Sequence, residues 1–312
     1  MLSRRYIRIK VMQALYAFFQ GENTDLEKGE KDMFHGINKI YDMYYYLLSL
    51  LVEIRNSAER TSEGGKQKHR PTKDELNPNL RFIENKIILK FDKSLQLKNY
   101  CERNKINWQD EGELVRKIVT SIKGNEDYEK YLSMPASFES DKEFILNAYK
   151  YHIAEYELLE HYFEDKSIFW ADDMGLVNSC ILRMIESMKE NDELEILPLY
   201  KNEAEDSAFA RELFHQTVLR NAENEKYISE KTTNWDVDRI AMMDVLLMKM
   251  AISEILHFEN IPVKVTLNEY IEISKMFSTP KSKIFINGIL DTLVQEFRRE
   301  NKLNKSGRGL ME

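Results

Sequence analysis

The chain has 312 residues, with 45 Lys and Arg against 53 Asp and Glu, a formal net charge of -8 and 43% hydrophobic residues. A chain of this length and apolar content can bury a sizeable core and corresponds to about two domains, which excludes disorder as its dominant state. The acidic balance excludes a protein that coats nucleic acid nonspecifically, because such binding needs a broad basic surface to release counterions; a local basic site is compatible with it.

Only 11 glycines and 6 prolines interrupt the sequence, too little punctuation for strands and turns, so the fold class it predicts is all-α. No run of 18 uninterrupted apolar residues occurs. The most hydrophobic stretch, 240–256, is broken by Asp244, Lys249 and Glu254, and a soluble, cytoplasmic chain without a membrane span is expected. Cys101 and Cys180 match no metal or redox spacing, which fits buried or neutral thiols in a reducing compartment.

In chain order, residues 3–20 read as a helix with Ser3 as N-cap and Ile7, Val11, Ala14, Leu15 and Phe18 on one stripe. Arg4, Arg5, Arg8 and Lys10 before an apolar run imitate a signal peptide. The run carries Gln13, and no small-residue cleavage site follows Gln20, so a mature amphipathic helix is the better reading. A second helix is expected over 37–59. Residues 61–79 hold Gly64, Gly65, Pro71 and Pro78 among Lys66, Lys68, Arg70 and Lys73; this is a mobile-linker pattern in which a continuous helix is costly.

Two or three shorter helices are expected over 80–132, with breaks near 104–107 and 124–125, then long helices over 138–163 and 172–189. The segment from Glu155 to Asp173 sets seven acids against Lys166, and a solvated acidic face is its simplest reading. The last third predicts helices at 204–224, 237–258, 263–277 and 281–299 joined by short connections, as in a compact bundle. Residues 301–312 have no periodicity and read as a disordered tail.

Enzyme patterns are missing. The one Gly-x-Gly, Gly307-Arg308-Gly309, precedes no helix, there is no phosphate-binding loop with its lysine, and the six histidines contain no pair at helical ligand spacing. No catalytic activity, cofactor or metal is expected. The first 20 residues, by contrast, hold four basic side chains and no acid. At 100° per residue Arg5 and Arg8 fall beside the apolar stripe, with Met12, Tyr16 and Phe19. One face can then pack while the adjacent one presents guanidinium groups. Planar arginines fork phosphates and stack on exposed bases, which suits single-stranded RNA; a solvated basic helix end is the alternative.

Arg4-Arg5, Arg8 and Gln13-Ala14-Leu15-Tyr16 resemble the arginine-rich opening helix of the NusB family of bacterial transcription antitermination factors. The resemblance returns at Phe209-Ala210-Arg211-Glu212-Leu213 and at Asn234-Trp235-Asp236-Val237-Asp238-Arg239-Ile240. It is strongest in Asn260-Ile261-Pro262-Val263-Lys264-Val265-Thr266-Leu267-Asn268-Glu269 and in Phe285-Ile286-Asn287-Gly288-Ile289-Leu290-Asp291.

The resemblance covers 3–20 and 206–297. It implies a NusB-like pair of helical bundles, enlarged by an inserted helical region. The expected organisation is the arginine-rich helix in 1–36, the insertion in 37–200 with its linker near 61–79, the C-terminal NusB-like bundle in 201–300 and the tail in 301–312.

The family resemblance further implies binding of boxA-type leader RNA together with NusE, a small-subunit ribosomal protein. The pair would act within an RNA polymerase antitermination complex that keeps rRNA transcription processive. On it, Arg4, Arg5 and Arg8 are the RNA-contacting positions, with Lys10 and Lys281 as further cations. Lys281 stands in Ser278-Thr279-Pro280-Lys281, which replaces the family's glycine and acidic pair. Tyr16, Asp244 and Phe285 are candidates for the partner surface; core packing for Tyr16 and Phe285, and a helix-surface charge for Asp244, are the alternatives. Pro262, Asn268, Glu269, Asn287 and Gly288 read as structural. The competing reading is a non-catalytic ribosome-biogenesis scaffold that recruits a protein through the insertion and has lost RNA binding.

Overall fold

The computed structural model describes residues 1–232 and 241–310. Those residues form 15 α-helices and, among them, no strand, the all-α class that the scarcity of glycine and proline predicts. No helix among them is long and apolar enough to cross a membrane. The chain divides into two compact units, one made of Met1–Ile37 with Leu199–Glu312, the other of Asn38–Pro198.

Helix α1 (Arg4–Gln20) begins at Ser3, whose hydroxyl accepts the Tyr6 amide hydrogen, and stops at Gly21. Of the expected stripe Ile7, Val11, Leu15 and Phe18 are buried and Ala14 is half-buried, but Arg8, Ile9, Lys10 and Met12 are buried too, because α1 is covered on several sides rather than one. Helix α2 (Leu26–Lys66) follows. Gly29 near its start lets it approach closely: a β-carbon there would stand 2.6 Å from the Phe18 ring and 2.8 Å from that of Phe214, two rings that meet edge-to-face at 5.6 Å.

The second unit contains α3 (Lys73–Leu76), α4 (Lys86–Lys93), α5 (Leu95–Asn104), α6 (Gly112–Lys123), α7 (Glu126–Ser133), α8 (Phe138–Tyr149), α9 (Glu157–Lys166) and α10 (Met174–Ser187). The expected linker at 61–79 is instead largely structured. Helix α2 runs through Gly64 and Gly65 to Lys66, and α3 closes a capping box between Thr72 and Glu75. The close approach of Glu75, 3.3 Å from a β-carbon built on Gly65, gives that glycine a packing role that offsets its low helix propensity, whereas Gly64 has nothing within 4 Å. The long helix expected over 138–163 is broken by a π-type turn at Lys150–Ala154.

Aromatic rings pack among the aliphatic side chains of this unit. Tyr45 stacks on Tyr100 at 3.8 Å, and Tyr46, Trp108, Phe163 and Trp170 form an edge-to-face cluster. The indole Nε1 hydrogens of Trp108 and Trp170 are donated to the carbonyls of Tyr46 and Lys39, so these large rings are buried without an orphaned donor. The fully buried Asn85 caps α4 by accepting the amides of Ile87 and Ile88, and donates to Tyr131 and the Asp141 carbonyl.

The chain then returns to the first unit with α11 (Glu203–Leu219), α12 (Asn221–Lys231), α13 (Met242–His257), α14 (Val263–Phe277) and α15 (Ser282–Arg299). The helix expected over 204–224 is thus two helices, parted at Arg220. The motif at 234–240 lies outside the described residues. Residues 301–310, read from sequence as a disordered tail, are instead docked. The Ser306 amide donates to the Glu259 carbonyl, the Lys305 ammonium donates to that of Phe258 at 2.8 Å, and a short 3-10 turn forms at Gly307–Leu310. Backbone pairing holds a segment whose side-chain pattern carries no helical period.

Candidate nucleic-acid interface

A groove of about 1550 Å³ runs along the start of α1. Its walls are α1, α11, the connection 258–262 between α13 and α14, and α14, with Arg308 from the C-terminal segment at its edge. It exceeds the usual 300–1,000 Å³ of small-molecule sites and suits a segment of polymer.

Arg4 places Nε 2.8 Å from Asp206 Oδ1, and its guanidinium lies 4.5 Å from the centre of the Phe209 ring. Asp206 is fixed in turn by the amides of Lys201 and Asn202, donated to Oδ2. Arg5 donates Nε and Nη2 to the two oxygens of Glu269 at 2.8 and 2.9 Å. This hydrogen bond is the main reason its pKa stands above the ordinary arginine value. The fork uses one edge of the guanidinium, and Nη1 has no partner among the described residues. Both Arg4 and Arg5 are partly exposed, each side chain at 39%.

Arg8 departs from the sequence reading. It is 2% exposed and forks Glu254, itself 0% exposed, at 2.7 and 2.6 Å. Burial opposes its charge, but Glu254 outweighs that and holds the pKa above the ordinary value. Glu254 also accepts from Thr266 Oγ1 at 2.7 Å and from the Tyr270 hydroxyl at 3.3 Å. A buried ion pair is tolerable only when its remaining lone pairs are satisfied in this way. Arg8 is therefore an internal strut between α1, α13 and α14 rather than a solvent-facing phosphate ligand. Helical periodicity places it beside the apolar stripe but cannot count the helices that cover it.

Of the other expected residues, Lys10 is 5% exposed and does not line the groove. Lys281 is exposed just before α15, also outside the groove lining. Tyr16 is 41% exposed and Phe285 half-buried. Asp244 is buried and accepts the Ser278 hydroxyl, which ties the start of α13 to the α14–α15 connection; it is neither a surface charge nor an open contact. The structure thus brings Arg4, Arg5 and Arg8 together along one groove, and leaves Lys10, Lys281, Tyr16, Asp244 and Phe285 off it.

Sequence reasoning missed the carboxylates. The sequence pattern gives Asp206 no role, marks Glu254 only as a break in an apolar stretch and Glu269 only as structural. The available signal was Glu254 itself, an acid inside the most apolar stretch of the chain, where an unpaired charge would be prohibitive. His257, at the groove wall, has its pKa lowered by burial and then by Arg220, so a neutral imidazole lines this surface. Elsewhere, burial pushes the Cys101 thiol up to about 11, which makes it a poor nucleophile. Among the described residues no group of three or more His, Cys, Asp or Glu is arranged to hold a metal ion.

Half-exposed arginines and aromatic rings thus edge a groove on an all-helical scaffold. Residues 180–295 match the model of the NusB family.

The transcription antitermination protein NusB of Salinibacter ruber is 42% identical over 103 residues, 33% of this chain and 64% of that protein. Its namesake from Chloroherpeton thalassium is 42% identical over 97 residues, 31% and 46% of the two chains. The Natranaerobius thermophilus protein of the same name is 40% identical over 96 residues, 29% and 65%. The chain thus spans about half to two thirds of the length of these curated relatives. No solved structure matches it significantly.

Proposed function

We propose that this protein is a non-catalytic, RNA-binding transcription antitermination factor. Its groove takes a single-stranded boxA-type leader RNA jointly with NusE, and the complex acts on RNA polymerase in the cytoplasm to keep rRNA transcription processive. The observation that carries this reading is the pair Arg4 and Arg5, half-exposed at the groove and each held in orientation by a carboxylate. Such pre-orientation leaves further N–H donors for phosphate while removing most of the rotamer entropy that binding would otherwise cost.

Lys281, exposed but off the groove, adds long-range attraction, and Tyr16 and Phe285 belong to the NusE side. Of the expected insertion at 37–200, residues 37–179 lie outside the family match, which begins at 180. Two phosphate contacts predict a salt slope of about -1.4 for a single strand.

Anisotropy titrations of a boxA-type strand, with and without NusE, test the reading. Preference over a scrambled strand and a gain from NusE are the expected results, and Arg4→Glu with Arg5→Glu should abolish the preference. Equal affinity for both strands, with no gain from NusE, overturns it. A second reading, a ribosome-biogenesis scaffold without RNA binding, is favoured by one fact: Glu205, Glu212, Glu259 and Glu269 line the same groove and offset its arginines. Under that reading the double Arg→Glu variant would function normally in cells.

A further inference from the structure

The arginines of α1 all have carboxylate partners: Arg4 has Asp206, Arg5 has Glu269 and Arg8 has Glu254. Arg308 differs. It lines the same groove, is exposed, and makes no ion pair among the described residues. Its backbone is nevertheless fixed. On one side Gly307 adopts the left-handed region at φ +52°, which costs glycine nothing. On the other, Gly309 is buried so closely that a β-carbon would stand 2.0 Å from the Glu259 carbonyl oxygen. Ser306 anchors the turn by donating its amide and its hydroxyl to the Glu259 carbonyl and carboxylate. The segment thus holds a rigid turn on the 258–262 connection and offers an unpaired guanidinium to a groove whose other lining charges are Arg4, Arg5 and Arg8 against Glu205, Glu212, Glu259 and Glu269.

We propose that Arg308 is a phosphate-binding residue of the groove, and that residues 305–310 form the arm that carries it. The inference rests on the reading of the groove as an RNA site and deepens it by adding a cation from the opposite end of the chain. A fixed arm loses less entropy on binding than a free tail of the same charge. A contact to phosphate adds affinity uniformly across sequences and steepens the salt dependence.

The test uses the full chain, a labelled boxA-type single strand and anisotropy titrations between 0.05 and about 0.3 M salt, where counterion release dominates. Arg308→Ala should weaken binding about fivefold at 0.1 M salt and flatten the log–log slope by about 0.7. Arg308→Lys should keep the slope. Gly309→Val leaves the arginine in place but cannot be accommodated against Glu259, and should lose affinity to the same degree. Unchanged melting temperatures would separate these losses from unfolding.

If Arg4→Glu and Arg5→Glu abolish binding while Arg308→Ala and Gly309→Val match the parent in affinity and slope, the arm is overturned and the groove stands. If the parent binds no strand, both fall together.

Discussion

In the unit built from both ends of the chain, side chains that ordinarily face water are buried in matched sets: Arg8 on Glu254, with Thr266 and Tyr270 completing the carboxylate, and Asn224 on Ser253. In the unit spanning Asn38–Pro198, a cluster of edge-to-face rings, Tyr46, Trp108, Phe163 and Trp170, packs among aliphatic side chains. The contrast separates two tasks. Ring packing tolerates many orientations and contributes area, whereas a forked ion pair fixes one rotation of a helix about its axis. Helix α1 needs that fixed rotation, because Arg4 and Arg5 must edge the groove while Arg8 lies beneath it.

The largest effect should come from removing one member of the buried pair. Glu254→Ala leaves Arg8 uncompensated in the interior and is expected to cost about 4 kcal/mol, read by denaturant unfolding; a loss under about 1 kcal/mol would mean that the pair is wet. In the unit that holds the ring cluster, Phe163→Ala should cost about 3 kcal/mol through its cavity, without the sensitivity to charge that marks the first variant. Asn85→Ala probes a buried polar anchor of that unit. Loss of the α4 cap and of two donated hydrogen bonds should cost about 2 kcal/mol, and a neutral result would show that packing alone holds α4.

The smallest effect is in pH. His152 bonds Ser121 and Asn125, and burial lowers its pKa. The unfolded chain therefore binds protons more readily. Stability should be full above about pH 6.5, the ordinary histidine value, and fall as pH drops through the lower folded value. His257 in the other unit carries the same sign. His152→Gln and His257→Gln should each flatten part of the acid limb of a melting-temperature curve; no change from either would remove histidine as its cause.

Elements with strong period and clear stops were legible. The expectation of 263–277 meets α14 at Val263–Phe277, and 3–20 meets α1 at Arg4–Gln20. The split at Arg220 and the π-type turn at Lys150–Ala154 were not, since apolar spacing continues through both. Glycine propensity misjudged α2, where Glu75 packs against Gly65. At the groove, the arginine row was visible in sequence, but its exposure was not. Whether Arg8 faces solvent depends on Glu254, 246 residues away, and no local pattern carries that distance.

The Arg8–Glu254 fork also has a consequence for inheritance. Losing either side chain strands the other, so neither position can drift alone without passing through a damaged protein. Replacing both with apolar side chains of similar volume removes the two buried charges together and should be close to neutral for folding. Across relatives, the two positions should therefore change as a couple or stay as they are.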